Sequence, residues 1–550
     1  MSTETPKQPG KEIGMSHLFL LALLALPMAA PQANIITVNT IEDSIPGTPG
    51  NCSLREAVQA VIDTSPQDGC PAGSPEGPPG SFSGRDTINF ALPTPATITL
   101  TAPLPVLDNL DHGVIISGPG SRLLTLNGNN QFQIFRVENA EVVTIEGLTI
   151  ANGRAPKNGG GILNSGGRLT VNNVRFTGNS AVEDGGGISN ERVTGTLVVL
   201  NSTFSGNAAF DFAEQEEEGG AIVNIDGTAT VANSTFFGNS VPNMGAALFN
   251  SGNNDGTGKL TVINSTIHNN TSALGGAVVT EKGGTIILRN TLLAGNPGNN
   301  CLSQTGGVGN VIGVIVDEGG NLDDGTSCNF GTNSLSSASS AALDSLGVQN
   351  NGGPTDTVAL TTGSDAVDLG LNTVCAAAPV SNLDQRGGTR PIGPACDTGA
   401  FELGSTPSTP PGAPSPPAPT APTPTAPSGP VPDPGTEPAP VCSGKTATIY
   451  VRTTGVIKGG PDNGLVSNGR LRGTAGADVM VGTAGNDILI GSGGNDRICG
   501  LGGKDTLRGG AGRDTLLGGA GKDKLVGGAG FDRCVGGPGK DKFTTCEVVK

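Results

Sequence analysis

Tryptophan is absent from the 550 residues, tyrosine occurs once, and aromatic side chains make up only 3% of the chain. A chain this poor in large apolar rings builds a thin core. With 89 glycines and 40 prolines it reads as a turn-rich all-β protein. Basic charge is also scarce: 31 Lys and Arg stand against 48 Asp and Glu, a net charge of −17. That balance excludes a general nucleic-acid binder. Long apolar runs are missing too. The longest is Leu18–Ala30, about 13 residues ending in small side chains, too short for a membrane span but suited to a secretory signal. Residues 1–33 are therefore expected to be a signal peptide, with no transmembrane span after it. Met15 offers a second start, because the stretch before it mixes two Lys with two Glu.

Ten cysteines in an exported chain predict disulfides. Neighbour spacing suggests Cys52–Cys70, Cys301–Cys328, Cys375–Cys396 and Cys534–Cys546, leaving Cys442 with Cys499, out of the many pairings ten thiols allow. Charge is unevenly spread. Residues 34–404 hold 14 Lys and Arg against 34 Asp and Glu (14 − 34 = −20), whereas residues 442–550 hold 15 against 10 (15 − 10 = +5).

Between Val143 and Asn296 one phrase returns five times: LTVNNVRFTGN, LVVLNSTFSGN, ATVANSTFFGN, LTVINSTIHNN and IILRNTLLAGN. Its marker position falls on Phe176, Phe204, Phe236, Ile267 and Leu293, in steps of 28, 32, 31 and 26 residues. A second phrase alternates with it, GGGI at Gly159–Ile162 and Gly185–Ile188, then GGAI at Gly219–Ile222. Apolar residues alternate within each phrase, which is strand spacing, and Gly or Asn breaks the strands at equivalent points. Three short strands and three corners in about 28 residues describe one coil of a parallel β-helix. A β-sandwich has no reason to repeat its corners in phase. Asn173, Asn201, Asn233, Asn264 and Asn290 share one corner and are expected to stack as a carboxamide ladder.

These alternating GGAI and Phe-x-x-Asn motifs resemble the repeat of bacterial polymorphic outer-membrane proteins and related adhesins, which are right-handed parallel β-helices. Upstream, Cys52-Ser53-Leu54-Arg55-Glu56-Ala57 resembles the signature of the CSLREA domain of secreted bacterial proteins. Ser53 and Glu56 have capping-box spacing, and Leu54, Ala57, Val58 and Val61 form a helical apolar face. A short helix covering the amino end of the solenoid is expected. Asn351–Thr355, Asp384–Gly388 and Cys396–Glu402 resemble the closing segment called a choice-of-anchor domain, read as a carboxyl cap. Residues 34–404 are thus one β-helix with both caps. Residues 405–441 follow as a disordered linker with fifteen prolines between 405 and 440, semi-rigid in polyproline II form.

From Gly473 to Thr544 the chain repeats every nine residues, eight times, in the pattern GGxGxDxUx. Aspartate is always sixth: Asp478, Asp487, Asp496, Asp505, Asp514, Asp523, Asp532 and Asp541. An apolar residue is always eighth, from Met480 to Phe543. Glycines free the backbone to point carbonyls at one place, Asp adds a carboxylate, and xUx makes a short strand. Oxygen-only donors suit Ca²⁺, whereas zinc would want His or Cys. The pattern resembles the RTX (repeats-in-toxin) parallel β-roll and makes residues 442–550 a calcium-binding module. That resemblance implies ions held between turns two repeats apart, Asp478 with Asp496 and onward, with room for about six. Position five is cationic at Lys504, Arg513, Lys522 and Lys540, which predicts weaker calcium binding in repeats four to eight.

The expected whole is a secreted or surface-displayed calcium-binding protein, adhesin-like or structural and without catalysis. Its partners are Ca²⁺ and an anionic cell-surface or wall polysaccharide. The alternative is a polysaccharide lyase or epimerase built on the β-helix, since such enzymes also join a β-helix to RTX repeats. For that chemistry the chain past the signal offers only Tyr450, His112 and His268, on an acidic helix body. His268 is expected to face solvent, Glu214–Glu218 to be a solvated loop, and the Asn-Ser-Thr sequons at Asn201, Asn233 and Asn264 to be by-products of the repeat.

Overall fold

The computed structural model describes residues 34–549 apart from 45–46, 74–84, 109, 111–112, 140, 211–217, 253–257, 307–310, 339–340, 408–438, 452–456, 460–469 and 475. The expected signal segment 1–33, most of the proline-rich linker and His112 therefore lie outside the described residues.

Residues 35–336 wind into a parallel β-helix. Two ten-stranded sheets, one of seven strands and one of five run along it, with sequence-adjacent coils paired as neighbours. One coil passes through Ile162–Ser165, Arg168–Asn172, Arg175–Thr177 and Ser180–Ala181, so a fourth, two-residue strand joins the expected three. The marker residues pair in register, Phe176 with Phe204, Phe236, Ile267 and Leu293 in turn. Inside the barrel Phe176, Phe204 and Phe236 stack face to face, with centroids 4.5 and 4.9 Å apart. Stacking like on like is the only way such short strands can bury a continuous apolar column.

Two asparagine ladders run along the axis, and neither uses the expected corner. Asn179 Nδ2 donates to Asn207 Oδ1 at 2.9 Å, and the chain continues through Asn239, Asn270 and Asn296. Asn164, Asn190, Asn224 and Asn250 form the other, at 2.6–2.7 Å. Asn173, Asn201, Asn233, Asn264 and Asn290 occupy equivalent corners but form no ladder among the described contacts, and they take left-handed backbone, with φ between 44° and 56°. Asparagine tolerates that conformation at a sharp corner. Described amides of this column turn outward: Asn233 donates to the Leu383 carbonyl at 3.0 Å, Asn264 to Cys375 Sγ at 3.1 Å and Asn290 to the Leu371 carbonyl at 3.2 Å.

At the amino end each residue of Cys-Ser-Leu-Arg-Glu-Ala has a task. Cys52 is bonded to Cys70, Ser53 and Glu56 close a capping box, and Leu54 and Ala57 are wholly buried. Arg55 pairs with buried Asp43 at 2.7 Å and donates to the Ala102 carbonyl. The helix Leu54–Asp63 packs on the first two strands of one ten-stranded sheet.

Residues 343–403 do more than close the carboxyl end. They lie along the flank of the solenoid, over the asparagine corner. Gln385 donates to Thr203 Oγ1 at 3.0 Å and accepts from Thr235 Oγ1 at 2.6 Å, Asp356 pairs with Arg122 and Arg175, and the Ala400 amide donates to Thr266 Oγ1. Outward hydroxyls and amides of successive coils supply hydrogen bonds that an end cap alone could not reach. The segment is itself knit by Arg386, which pairs with Asp384 at 2.6 Å and stacks over Phe401.

Residues 449–549 form the second unit, a roll of two sheets with seven and five strands, parallel throughout except for the antiparallel edge pair Ile449–Val451 with Ile457–Lys458. Strands eighteen residues apart pair, Ile488 with Thr506, Lys524 and Lys542. Two repeats therefore make one coil. The eighth-position side chains Met480, Leu489, Ile498, Leu507, Leu516, Leu525 and Cys534 are fully buried between the sheets. All five disulfides suggested by spacing are present, and no described cysteine is free.

Candidate metal centre

The sixth-position aspartates line the two edges of the roll, where each glycine turn gives way to its xUx strand. Seven of the eight, Asp478 to Asp532, are at most 7% exposed, and Asp541 in the last coil is half-buried. Each carboxylate reaches one coil back. Oδ1 of Asp496 accepts from the Asp478 amide at 2.8 Å, and Asp505, Asp514, Asp523, Asp532 and Asp541 repeat the bond at 2.8–2.9 Å. The structure thus brings together the pairs expected from two-repeat spacing. At the carboxyl end the pattern finishes on Glu547, whose Oε2 accepts from the Asp532 amide at 2.6 Å. Sequence reasoning missed Glu547, because it stands fifteen residues after Asp532 and out of phase with the nine-residue period.

The second carboxylate oxygen decides what the site can hold. Oδ2 of Asp496, Asp505, Asp514, Asp523 and Asp532 is buried and accepts no hydrogen bond from the described residues. A buried anionic oxygen without a donor is costly, and proteins leave one where an ion completes it. Burial pushes Asp496 and Asp505 up to about 6, with carboxylates one coil away adding repulsion, raises Asp514 with Asp532 adding repulsion, and raises Asp487 against the lowering effect of its Thr483 hydrogen bonds. Glycine is required at the head of each turn. A Cβ on Gly482 would fall 2.8 Å from both Asp487 Oδ2 and the Gly500 carbonyl oxygen, and one on Gly491, Gly500, Gly509 or Gly518 would meet the equivalent pair. Carboxylate and carbonyl oxygens from successive coils therefore converge on one small space. Among the described residues no three His, Cys, Asp or Glu side chains cluster, so main-chain carbonyls must complete any coordination shell. Such an oxygen-only donor set fits a hard divalent cation, Ca²⁺ above all.

Residues 472–507 and 500–534 match the RTX calcium-binding nonapeptide repeat. This RTX-type block carries the oxygen cage just described. Residues 173–191 match the Chlamydia polymorphic membrane protein repeat, within the Phe-x-x-Asn coils. No curated protein matches the chain. The crystal structure of pectate lyase Pel9A is similar with a TM-score of 0.31 and 14% identity, over 68% of this chain and 97% of that one, a likeness too low to carry an argument.

Of the residues considered for polysaccharide chemistry, His112 lies outside the described residues, and Tyr450 and His268 sit in different units. Tyr450 is buried in the roll beside Val481 and Cys499. His268 is half-buried rather than solvated: its ring packs on Phe237, its Nδ1 lies 2.8 Å from the Ala294 carbonyl oxygen, and burial lowers its pKa. Of Glu214–Glu218 only Glu218 is described, its amide donating to Asp184 Oδ1 at 3.0 Å.

Proposed function

We propose that the chain is a secreted or surface-displayed calcium-binding protein in which the β-helix is an interaction or structural body and the RTX-type roll is its calcium-dependent module. The reading rests on the row of buried Oδ2 atoms without donors between Asp496 and Asp532. Asp478 to Asp541, with the turn carbonyls, are the residues that would hold calcium. Bound ions would neutralise carboxylates that otherwise repel one another across coils, so binding free energy becomes folding free energy. Millimolar extracellular calcium is enough for such modules and cytosolic calcium is not, which ties ordering of the roll to export. Five disulfides support an oxidising compartment. Exposed Lys504, Lys522, Lys540 and Lys542 suit contact with an anionic wall or surface polysaccharide, and the acidic β-helix does not.

Isothermal titration of the chelator-treated full chain tests the reading. Several calcium ions should bind, fewer in Asp514→Asn and Asp523→Asn variants. A parent chain that takes up no calcium would refute it.

A further inference from the structure

The eight turns are of two kinds. In repeats three to eight, position two of the repeat is Ser492, Leu501, Gly510, Gly519, Gly528 and Gly537, and every one has left-handed backbone, with φ between 78° and 114°. In repeats one and two the same position is Thr474 and Thr483, and neither enters that region. A β-branched side chain resists positive φ, so these two turns fold differently. The consequence falls on the aspartate. Thr474 donates to Asp478 Oδ2 from its amide at 2.6 Å and its hydroxyl at 2.9 Å, and Thr483 does the same to Asp487 Oδ2 at 2.5 and 2.9 Å. Where the threonine is missing, in repeats three to seven, Oδ2 is buried and has no donor.

We infer that the turns of Asp478 and Asp487 are closed by threonine instead of by metal, and that they form a calcium-independent seed on which the calcium-bound coils assemble. The inference rests on the calcium reading above and narrows it. Two donors already satisfy the oxygen that a cation would need, and an ion entering there would have to break both bonds. Other contacts hold this end without metal. Cys442–Cys499 staples the leading segment to repeat three, and Cys442, Ala447, Tyr450, Val481 and Cys499 form an apolar cluster outside the sheets. Ile449–Val451 pairs in parallel with Val479–Val481, and the Val479 amide donates to Thr448 Oγ1 at 2.9 Å. Position-five charge alone predicts the opposite gradient, with the best sites in repeats one to three.

Peptide-resolved hydrogen exchange of the full chain, with chelator and with calcium, separates the two. In chelator, residues 473–490 should exchange more slowly than 491–544 by about tenfold or more, and calcium should protect mainly the latter. A Thr474→Gly, Thr483→Gly double variant should make protection of 473–490 depend on calcium and bind one or two more ions. Thr483→Val, which keeps the branch and loses the hydroxyl, should lose protection without gaining an ion. Equal calcium dependence across all eight repeats, or an unchanged ion count in the double glycine variant, overturns the seed while leaving the calcium function standing. No calcium response anywhere overturns both.

Discussion

Asparagine does two unlike jobs in this β-helix, separated by one backbone angle. Gly178, at φ 63°, turns the chain so that Asn179 points inward, where it is fully buried and joins a ladder. Asn233 takes positive φ itself, at 47°, and its amide turns outward to the Leu383 carbonyl. The repeat made both columns legible, but which residue of a corner goes left-handed is decided by packing against the coil above, which no single phrase contains. The inward column should therefore be the costly one to break. Asn239→Leu leaves Asn207 without the acceptor for its amide and its Nδ2, and it should destabilise the β-helix by roughly 3 kcal/mol, read as a lower denaturant midpoint. Asp184 gives a pH signature at the same scale. Burial, with Glu191 and Glu183 nearby, raises it to about 7 from an ordinary 3.8. The folded state then binds the proton more tightly than the unfolded chain, so stability rises as pH falls from above 7 towards 4. The β-helix should melt higher at about pH 5.5 than at about pH 8, and Asp184→Asn should flatten that difference.

Among the elements, the flank segment 343–403 differs most from expectation. Its motifs were recognisable as a closing segment, yet its place was not, because its partners lie up to 234 residues away, as Asp356 does from Arg122. Long-range pairings of single polar side chains leave no periodic trace in sequence. Gln385 is its hinge pin: its amide nitrogen Nε2, with two hydrogens to donate, lies within hydrogen-bond distance of Ser202 O, Thr203 Oγ1, Thr355 Oγ1 and Asp356 O, and its Oε1 accepts from Thr235 Oγ1. Gln385→Leu should strip the buried Thr235 hydroxyl of its acceptor and take away the amide that ties the segment to two coils, at a cost of roughly 2–4 kcal/mol, and release residues 351–402 to protease while the coils stay protected. The amino-terminal helix was legible in full, since a capping box and an i, i+3, i+4 apolar face are local signals.

For the molecule as a whole, the two units differ in what holds them. The β-helix is closed by its own aromatic stack, ladders and flank segment; the roll buries a single file of mostly aliphatic side chains between carboxylate edges that repel each other. The nine-residue period exposed the strands, the buried file and all eight aspartates directly. It could not show which carboxylates lack a donor, because that depends on the backbone angle at position two. Replacing Asp514 by Asn should raise the calcium concentration needed for half-ordering by roughly an order of magnitude and leave the melting of the β-helix unchanged. The most direct test of the account is the far-UV circular dichroism of the full chain in chelator and then in millimolar calcium, with magnesium as control. Calcium, and not magnesium, should add strand signal on top of a constant β-helix contribution; identical spectra in all three would contradict the account.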